Sequence, residues 1–305
     1  MYDLLILGGG PAALSSGIYA GRKNLNTALI ADSLGGQSVI SDKIENWIGT
    51  SSISGFDLAK SIEDHLRLQE DVEIIEGERA EIVERVEGGF SVKTSGGKIL
   101  ESKAVLVATG GRHKKLGVPG EDKFAGKGVV YCSTCDAPLF RNKEVVVVGA
   151  GNAGLEAAVD LIPFASKITI MVRSERIKGD PKTLDMVKAS DKIEILYNAV
   201  TTEILGDAFV SGMKYKDTIS GEEKEISAEG VFVEIGTVPN SEMVKDLVEL
   251  DEKGEIKIDR TGRSSVIGIW AAGDVTDASY KQNNIAVGDS IRATLNAYDW
   301  LKNGK

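Results

Sequence analysis

The sequence has 305 residues, of which 42% are hydrophobic and 27% charged, a length and composition typical of a soluble α/β protein with two domains. Its formal net charge of −10 argues against a general nucleic-acid or acidic-membrane surface. No apolar run reaches the roughly 18 residues needed to span a bilayer, and Met1-Tyr2-Asp3 lacks the basic start of a signal peptide, so we expect a cytoplasmic protein.

The chain opens with a strand, a glycine turn and a helical pattern. Residues 2–7 predict a buried parallel strand, and the turn at 8–13 leads into the helix. In such a dinucleotide fingerprint, Gly8 permits the tight turn, Gly10 lets a pyrophosphate approach the backbone and Ala13 allows close packing of helix on strand. The phosphates then meet the amide-rich helix N-terminus. The candidate contacts are Gly8, Gly10, Pro11, Ala12 and Ala13.

The second strand and the loop after it add further candidates. The strand at 27–31 ends at Asp32, where an acid could bind a ribose hydroxyl, although a solvated loop aspartate is the other interpretation. Gly36 belongs to a glycine pair that lets backbone lie against a flat ring system. Gln37 and Asn46 can offer amide hydrogen bonds, although both segments could also be ordinary loops.

The rest of the first third predicts a helix and more strands. Residues 56–70 have an amphipathic helical pattern, and alternation between about 72 and 107 predicts a small antiparallel addition. A buried strand then ends in small residues that fit beneath a bound nucleotide, namely Ala108, Thr109 and Gly110.

The only two cysteines of the chain lie in one short motif. Cys132 and Cys135 have C-x-x-C spacing, which is typical of thiol–disulfide exchange, and Asp136 follows at once as a group that could protonate or deprotonate a sulfur. The alternatives are half of a zinc site or two inert thiols. His65 and His113 are single residues without ligand spacing, so we expect no metal site.

A second strand, glycine turn and helix follow at 145–154. The motif meets every glycine requirement through Gly149, Gly151 and Gly154, and the candidate contacts also include Asn152 and Ala153. Two such units in one chain predict two nucleotide sites and therefore an electron relay, because one cofactor can pass hydride to the other. The alternative is one working site and a degenerate copy.

The strand at 167–172 in the second unit indicates the type of nucleotide. It is followed by mainly basic residues, including Arg173 and Lys178, and a basic residue here would accept a 2′-phosphate. This pattern favours NADPH, although a solvated basic loop is the other interpretation.

Two connections bearing glycine and proline divide the chain. They lie at 117–120 and 236–240, on either side of a segment that ends in a meander and a buried strand at 209–235, and Gly236 is a further candidate contact. The sequence therefore predicts an α/β protein of two Rossmann-like, three-layer ββα domains, the second inserted into the first. Paired crossings make a natural hinge. The predicted boundaries are 1–115, 116–240 and 241–305.

The tail predicts a short strand, a loop and a helix from about 285 to 302. The strand at 269–275 contains Gly273 and Asp274, and an acid there can bind ribitol or ribose hydroxyls or act as a helix N-cap. Lys281 could place a charge near a flavin or could be a surface lysine. The candidates that follow the strand are Lys281, Gln282 and Asn283.

Taken together, the motifs resemble those of the low-molecular-weight thioredoxin reductases, over almost the whole chain. The alkyl hydroperoxide reductase flavoprotein is similar too, especially around 44–47 and 151–158. The motifs that carry the resemblance are those at 8–13, 35–37, 45–46, 108–110, 132–136, 149–154, 236–240 and 272–274.

The resemblance implies FAD in the discontinuous first domain and NAD(P)H in the inserted one. It implies that Gly8, Gly10 and Ala13 hold the FAD pyrophosphate, Asp274 a ribitol hydroxyl, and Gln37, Asn46 and Gln282 the flavin region. It also implies that Cys135 faces the flavin, Cys132 attacks the partner disulfide and Asp136 is the acid–base group. In this family the middle domain swings between two positions, and a homodimer is expected.

Two departures from the family pattern affect the expected donor and partner. The chain starts at its FAD strand, without the thioredoxin-like region that precedes it in the hydroperoxide reductase flavoprotein, so we expect a separate disulfide partner. NADPH-dependent members usually carry His-Arg-Arg-x-x-x-Arg, of which Arg173 matches and Lys178 is a charged substitute. Lysine lacks the planar fork of arginine, so NADH is possible as well as NADPH.

These observations predict a thioredoxin-disulfide reductase that acts on a thioredoxin-like or glutaredoxin-like protein. The enzymatic alternatives are a ferredoxin-dependent flavin thioredoxin reductase and an FAD-dependent dithiol oxidase. A flavoprotein that senses redox state without turnover is a third alternative.

Overall fold

The computed structural model describes residues 1–41 and 43–304, which form two compact units. One unit contains Met1–Arg112 and the chain from Val238 onward, and the other contains His113–Thr237. The helices and strands, in chain order, are β1 (Tyr2–Leu7), α1 (Pro11–Arg22), β2 (Thr27–Ala31), α2 (Gly55–Arg67), β3 (Val72–Glu76), β4 (Ala80–Val86), β5 (Gly89–Thr94), β6 (Ile99–Val107), β7 (Gly111–His113), β8 (Val129–Val130), α3 (Ser133–Asp136), β9 (Glu144–Val148), α4 (Asn152–Leu161), β10 (Lys167–Met171), α5 (Pro181–Ala189), β11 (Ile193–Leu196), β12 (Ala199–Gly206), β13 (Val210–Asp217), β14 (Glu223–Ser227), β15 (Gly230–Val233), β16 (Thr237–Pro239), β17 (Ile269–Ala271) and α6 (Asn283–Asn303). The predicted α/β fold class is confirmed.

The sheet of the first unit has the order β3-β2-β1-β6-β5-β4, and β17 also pairs with β6. Leu4 to Leu7 of β1 are fully buried, as expected for a parallel strand covered on both faces. Leu4 and Ile6 pack towards α1 and α6, whereas Leu5 and Leu7 pack towards the core that contains Phe90. The sheet thus presents the ends of β1, β6 and β17 at one edge, where the first glycine turn lies.

One predicted strand arrangement was wrong. Alternation over about 72–107 predicted a small antiparallel addition, but β3 pairs with β2 in parallel, with Val72 opposite Thr27. Only β4, β5 and the start of β6 form the antiparallel part. In β3, Val72 and Ile74 pack towards one core and Ile75 towards the other, and such a short apolar pattern does not show whether an edge strand pairs in parallel or antiparallel.

The second unit has a parallel sheet with the order β11-β10-β9-β15-β8. The helices α4 and α5 follow β9 and β10, and Val145, Val147 and Ile170 pack with Leu155 in one core. A separate antiparallel sheet, β12-β13-β14, contains the predicted meander. The elements α5 and β11 were not predicted.

The chain passes between the units at Arg112/His113 and Thr237/Val238. At these passages β7 pairs with β16 as a two-stranded sheet. The turn at 117–120 lies within the second unit, where the Pro119 carbonyl accepts a hydrogen bond from the Ile204 N–H at 2.9 Å. No helix within the described ranges 1–41 and 43–304 is long and apolar enough to cross a membrane.

Candidate dinucleotide and dithiol sites

In the first glycine turn, Gly8 and Gly10 are glycines for different structural reasons. Gly8 has φ +126°, and a Cβ there would lie 2.3 Å from the Ala108 carbonyl oxygen, so the packing of β1 on β6 requires glycine. Gly10 has an ordinary φ of −78°, and the nearest described atom to a Cβ there is the Gly36 Cα at 3.9 Å. The chain's own packing therefore does not explain Gly10, whereas an external group against the backbone does.

The start of α1 fits an anionic group. Pro11 is at the first helical position, and Gly10 at the N-cap offers no side-chain acceptor. The first-turn N–H groups of a helix have no intrahelical partner, and the helix dipole makes this end positive. Ala12 and Ala13 are buried beneath the turn. These residues therefore fit a dinucleotide pyrophosphate, which needs a close approach to the backbone and a cluster of N–H donors.

The loop after β2 returns to this turn. Gly36 has φ +61°, and its Cβ would lie 2.7 Å from the Gly10 Cα, so the two glycine backbones touch. Gln37 donates a hydrogen bond to the Gly111 carbonyl at 2.6 Å. Asp32 directly follows β2 and is exposed.

The start of α6 meets the same loop. Asn46 donates to the Gln282 side chain at 3.0 Å, and Ser38 donates to the Asn283 side chain at 2.9 Å. Asn284 also donates to the Asn46 carbonyl at 2.8 Å. The predicted residues Asn46, Gln282 and Asn283 are therefore brought together. Sequence reasoning missed Ser38 and Asn284, because only the fold brings residues about 240 positions apart into contact.

The segment after β16 forms hydrogen bonds with the residues that follow β6. Thr109 donates to the Asn240 carbonyl at 2.5 Å, and the Asn240 side chain donates to the Thr109 carbonyl at 2.9 Å. The Asn240 N–H also donates to Gly110, which has φ +64°. Ala108 is buried and continues the ladder by donating to Leu7.

The end of β17 lies against the first helix. Gly273 has φ +74°, and its Cβ would be 3.2 Å from the Ala12 Cβ. Asp274 is in the turn that follows, where burial raises the pKa of its carboxyl. It is not a helix N-cap, because Ala272 caps this turn and Gln282 caps α6.

Lys281 lies close to this end of β17. Its ammonium is 3.1 Å from the buried Glu255 carboxylate and also donates to the Thr276 carbonyl. Lys281 is therefore partly buried and ion-paired rather than a free surface lysine.

The two cysteines form a disulfide in the second unit. Cys132 is the N-cap of the short helix α3, and its sulfur accepts a hydrogen bond from the Cys135 N–H at 3.3 Å. Burial raises the pKa of Asp136 to about 6, so this carboxyl can exchange a proton near neutral pH. A disulfide pair beside such an acid agrees with thiol–disulfide exchange.

The second glycine turn, like the first, combines crowded glycines with one that is uncrowded. Gly149 has φ +121°, and its Cβ would lie 2.3 Å from the Glu234 carbonyl oxygen. The Cβ of an alanine at Gly154 would lie 2.1 Å from the Gly149 carbonyl oxygen. In contrast, apart from Gly151 and its neighbours along the chain, no atom of residues 1–41 or 43–304 lies within 4 Å of the place for a Gly151 Cβ. α4 begins there without a side-chain cap from the described residues, so an anion fits this turn as well.

The loop after β10 folds back over this second turn. Lys178 donates its N–H to the Ala150 carbonyl at 3.3 Å, and the Asn152 side chain accepts from the Asp180 N–H at 2.8 Å. Arg173, Lys178 and Ala153 are exposed. Gly236 has φ +101°, and its carbonyl accepts from the Lys114 N–H at 2.9 Å.

Comparison with known proteins shows the family of the chain. The family model described as pyridine nucleotide-disulphide oxidoreductase matches residues 2–291. The chain belongs to this family. The F component of alkyl hydroperoxide reductase in Staphylococcus aureus is 42% identical over 300 residues, which are 98% of this chain and 59% of that protein. The chain thus spans about three fifths of the length of this curated relative.

Two similar solved structures cover nearly the whole chain. Thioredoxin reductase from Streptococcus pyogenes is 36% identical with a TM-score of 0.94, covering 99% of this chain and 98% of that one. Thioredoxin reductase from Giardia duodenalis is 30% identical with a TM-score of 0.92, covering 99% of both chains. The predicted resemblance and the oxidoreductase class are confirmed, and a flavin and a pyridine nucleotide are the implied cofactors.

Proposed function

We propose that this chain is a thioredoxin-disulfide reductase. It passes hydride from NAD(P)H to FAD, then electrons to the Cys132–Cys135 disulfide and on to the disulfide of a thioredoxin-like protein. The observation that carries this proposal lies within the second unit. β8 leads into Cys132 and β9 leads into Gly149, and both strands flank β15 in one parallel sheet. A reducible disulfide and a dinucleotide turn therefore share the carboxyl edge of that sheet.

We assign FAD to the first unit. The turn at Gly8 and Gly10, with the α1 amides, would hold the pyrophosphate, and Asp274 a ribitol hydroxyl. The further residues that would hold FAD are Pro11, Ala12, Ala13, Asp32, Gly36, Gln37, Asn46, Ala108, Thr109, Gly110, Gly273, Lys281, Gln282 and Asn283. The support is the uncrowded place at Gly10 and the convergence of the loop after β2 with α6 on the same turn.

We assign NAD(P)H to the second unit, where Gly149, Gly151, Asn152, Ala153, Gly154 and Gly236 would hold it. The exposed Arg173 and Lys178 would bind a 2′-phosphate, which favours NADPH. Selectivity over NADH is expected to be modest, because an ammonium is a point charge without the bidentate geometry of a guanidinium.

When bound, the flavin and nicotinamide supply the two electrons that reduce the disulfide. The chain's own residues then act on the partner. The Cys132 thiolate attacks one sulfur of the partner disulfide, so that bond breaks and a mixed disulfide forms. The departing partner sulfur takes a proton from Asp136. The ionised Asp136 then takes the Cys135 proton, and the Cys135 thiolate attacks the Cys132 sulfur, which restores the Cys132–Cys135 disulfide and releases the partner's second thiolate.

The partner is proposed to be a separate thioredoxin-like or glutaredoxin-like protein, and the enzyme a cytoplasmic homodimer. The names of the similar solved structures support the thioredoxin class. The net charge of −10 supports a partner other than nucleic acid or an acidic membrane.

The proposal is tested with Cys132→Ser and Cys135→Ser. We expect each variant to lose reduction of a thioredoxin disulfide and to keep anaerobic bleaching of bound flavin by NADPH. Thr134→Ala, an exposed change between the cysteines, is the matched control and should keep both activities. Disulfide reduction that survives both serine variants contradicts the proposal. Absence of bleaching by NADPH and NADH in the wild type would instead favour a ferredoxin donor or an oxidase.

The coenzyme assignment is tested with Arg173→Ala. We expect a higher KM for NADPH and an unchanged KM for NADH, because only NADPH carries the 2′-phosphate. Arg176→Ala removes an exposed charge from the same loop and is the control. Equal effects of the two variants, or an equal change for both coenzymes, would contradict the assignment.

A further inference from the structure

Glu234 lies between the dithiol and the second glycine turn. It directly follows β15, whose Phe232 pairs with Val130 of β8 and whose Val233 pairs with Val148 of β9. Two residues beyond the Phe232–Val130 pair, Glu234 is level with Cys132. One residue beyond the Val233–Val148 pair, it is level with Gly149 on the other side. The Glu234 N–H continues the ladder by donating to the Val148 carbonyl at 2.9 Å.

The Glu234 carboxyl faces the turn that carries the cysteines. The Ser133 backbone N–H, one residue after Cys132, is near enough to the carboxyl to act against the rise of its pKa. The charged groups that act on Glu234 are all acidic: Asp160 and Glu156 from α4, and Asp136 from α3. The Ser133 hydroxyl is already engaged, because it donates to Asp160 at 2.9 Å.

These surroundings favour a protonated Glu234 near neutral pH. Burial, opposed by the Ser133 N–H and assisted by the three acidic neighbours, raises the pKa of Glu234 to about 8. Burial raises the pKa of Asp136 only to about 6. As pH rises, Asp136 therefore ionises first, beside a neutral Glu234, and the second ionisation belongs to the coupled pair.

We propose that Glu234 is a positioning residue of the dithiol centre, which faces the Ser133 N–H and, by its charge, sets how readily Cys132 forms a thiolate. The role rests on the proposed dithiol function. While neutral, Glu234 supports the turn without placing a charge beside the cysteines. Once ionised, it disfavours a second negative charge on the nearby sulfur. Each ionisation releases one proton to solvent, and only the thiolate is nucleophilic.

The proposal is tested by the rate at which iodoacetamide alkylates the chemically reduced protein, across about pH 5 to 10. Removing one charge at this range should shift the thiolate titration by roughly one pH unit. We expect Glu234→Gln to alkylate up to about tenfold faster than the wild type above pH 8 and equally fast near pH 6. Glu225→Gln, an exposed change on β14, is the matched control and should behave as the wild type.

A second variant measures the coupling between the two carboxyls. Asp136→Asn removes a charge that raises the pKa of Glu234, so the alkaline inflection should move to lower pH. Glu234→Asp keeps the charge but withdraws it from Ser133, and should retain an alkaline inflection that Glu234→Gln lacks. Identical profiles for wild type and Glu234→Gln, or an unmoved inflection in Asp136→Asn, would overturn the proposal.

The alkylation assay separates this inference from the proposed function, since it needs neither nucleotide nor partner protein. Failure of the wild type to reduce any thioredoxin disulfide, together with the expected alkylation shifts, would contradict only the proposed function. Normal disulfide reduction with unshifted alkylation would contradict only the role of Glu234.

Discussion

Two glycines of the second fingerprint should respond in opposite ways to the same added methyl group. At Gly149, alanine must adopt φ +121° and place its Cβ 2.3 Å from the Glu234 carbonyl oxygen. Backbone strain and overpacking each cost about 1–3 kcal/mol, so we expect a loss of roughly 2–6 kcal/mol of stability. At Gly151, φ is −84° and no described atom lies within 4 Å, so stability should change by less than about 1 kcal/mol.

The KM for the coenzyme should also distinguish these two variants. The Gly151→Ala methyl occupies the place proposed for the pyrophosphate and should remove one or two charge-assisted contacts, each about 1.5–3 kcal/mol. Each 1.4 kcal/mol is about tenfold, so we expect the KM for NADPH to rise at least about tenfold. Circular dichroism melting gives stability, and anaerobic flavin reduction gives KM. Equal melting temperatures for both variants, or a wild-type KM for Gly151→Ala, would refute this reasoning.

The first unit and the two partly buried carboxyls, Asp136 and Glu234, lead to three further predictions. Gly10→Ala should fold with a near-normal melting temperature yet purify with little flavin absorbance, whereas Gly8→Ala should be destabilised. Asp136→Asn should slow partner reduction by about 10²-fold or more. In the wild type the reduction rate should fall above pH 6, as Asp136 loses its proton, and the pH–rate profile of Asp136→Asn should lack this fall. The pKa of Glu234 is about 8 in the folded state against an ordinary value of 4.5, so the folded state holds this proton more tightly. The resulting contribution to stability is complete below pH 4.5 and is lost as pH rises through about 8. Glu234→Gln should therefore flatten the fall in melting temperature over that interval.

The sequence predicted best those elements whose physical signal is local. The strands at 2–7 and 27–31 and the helix start after Gly10 agree with β1, β2 and α1, because buried parallel strands are continuous apolar runs bounded by glycine. The predicted direction of β3 was wrong because its short apolar pattern does not show whether an edge strand pairs in parallel or antiparallel. The short α5 and β11 lack long periodic patterns and were missed.

The contacts of the sites are long-range, and this limits what a linear motif can reveal. A glycine pattern cannot say that Gly8 and Gly149 are required by a carbonyl of a neighbouring strand, whereas Gly10 and Gly151 face space. Only the parallel register distinguishes them. The same register brings Glu234 beside Ser133, although in sequence it is one acid after an apolar run. An acid that loses solvation at the carboxyl edge of β15 must keep its proton near neutral pH, and that is why the fold, rather than the cysteine motif, supplies the second titrating group of the dithiol centre.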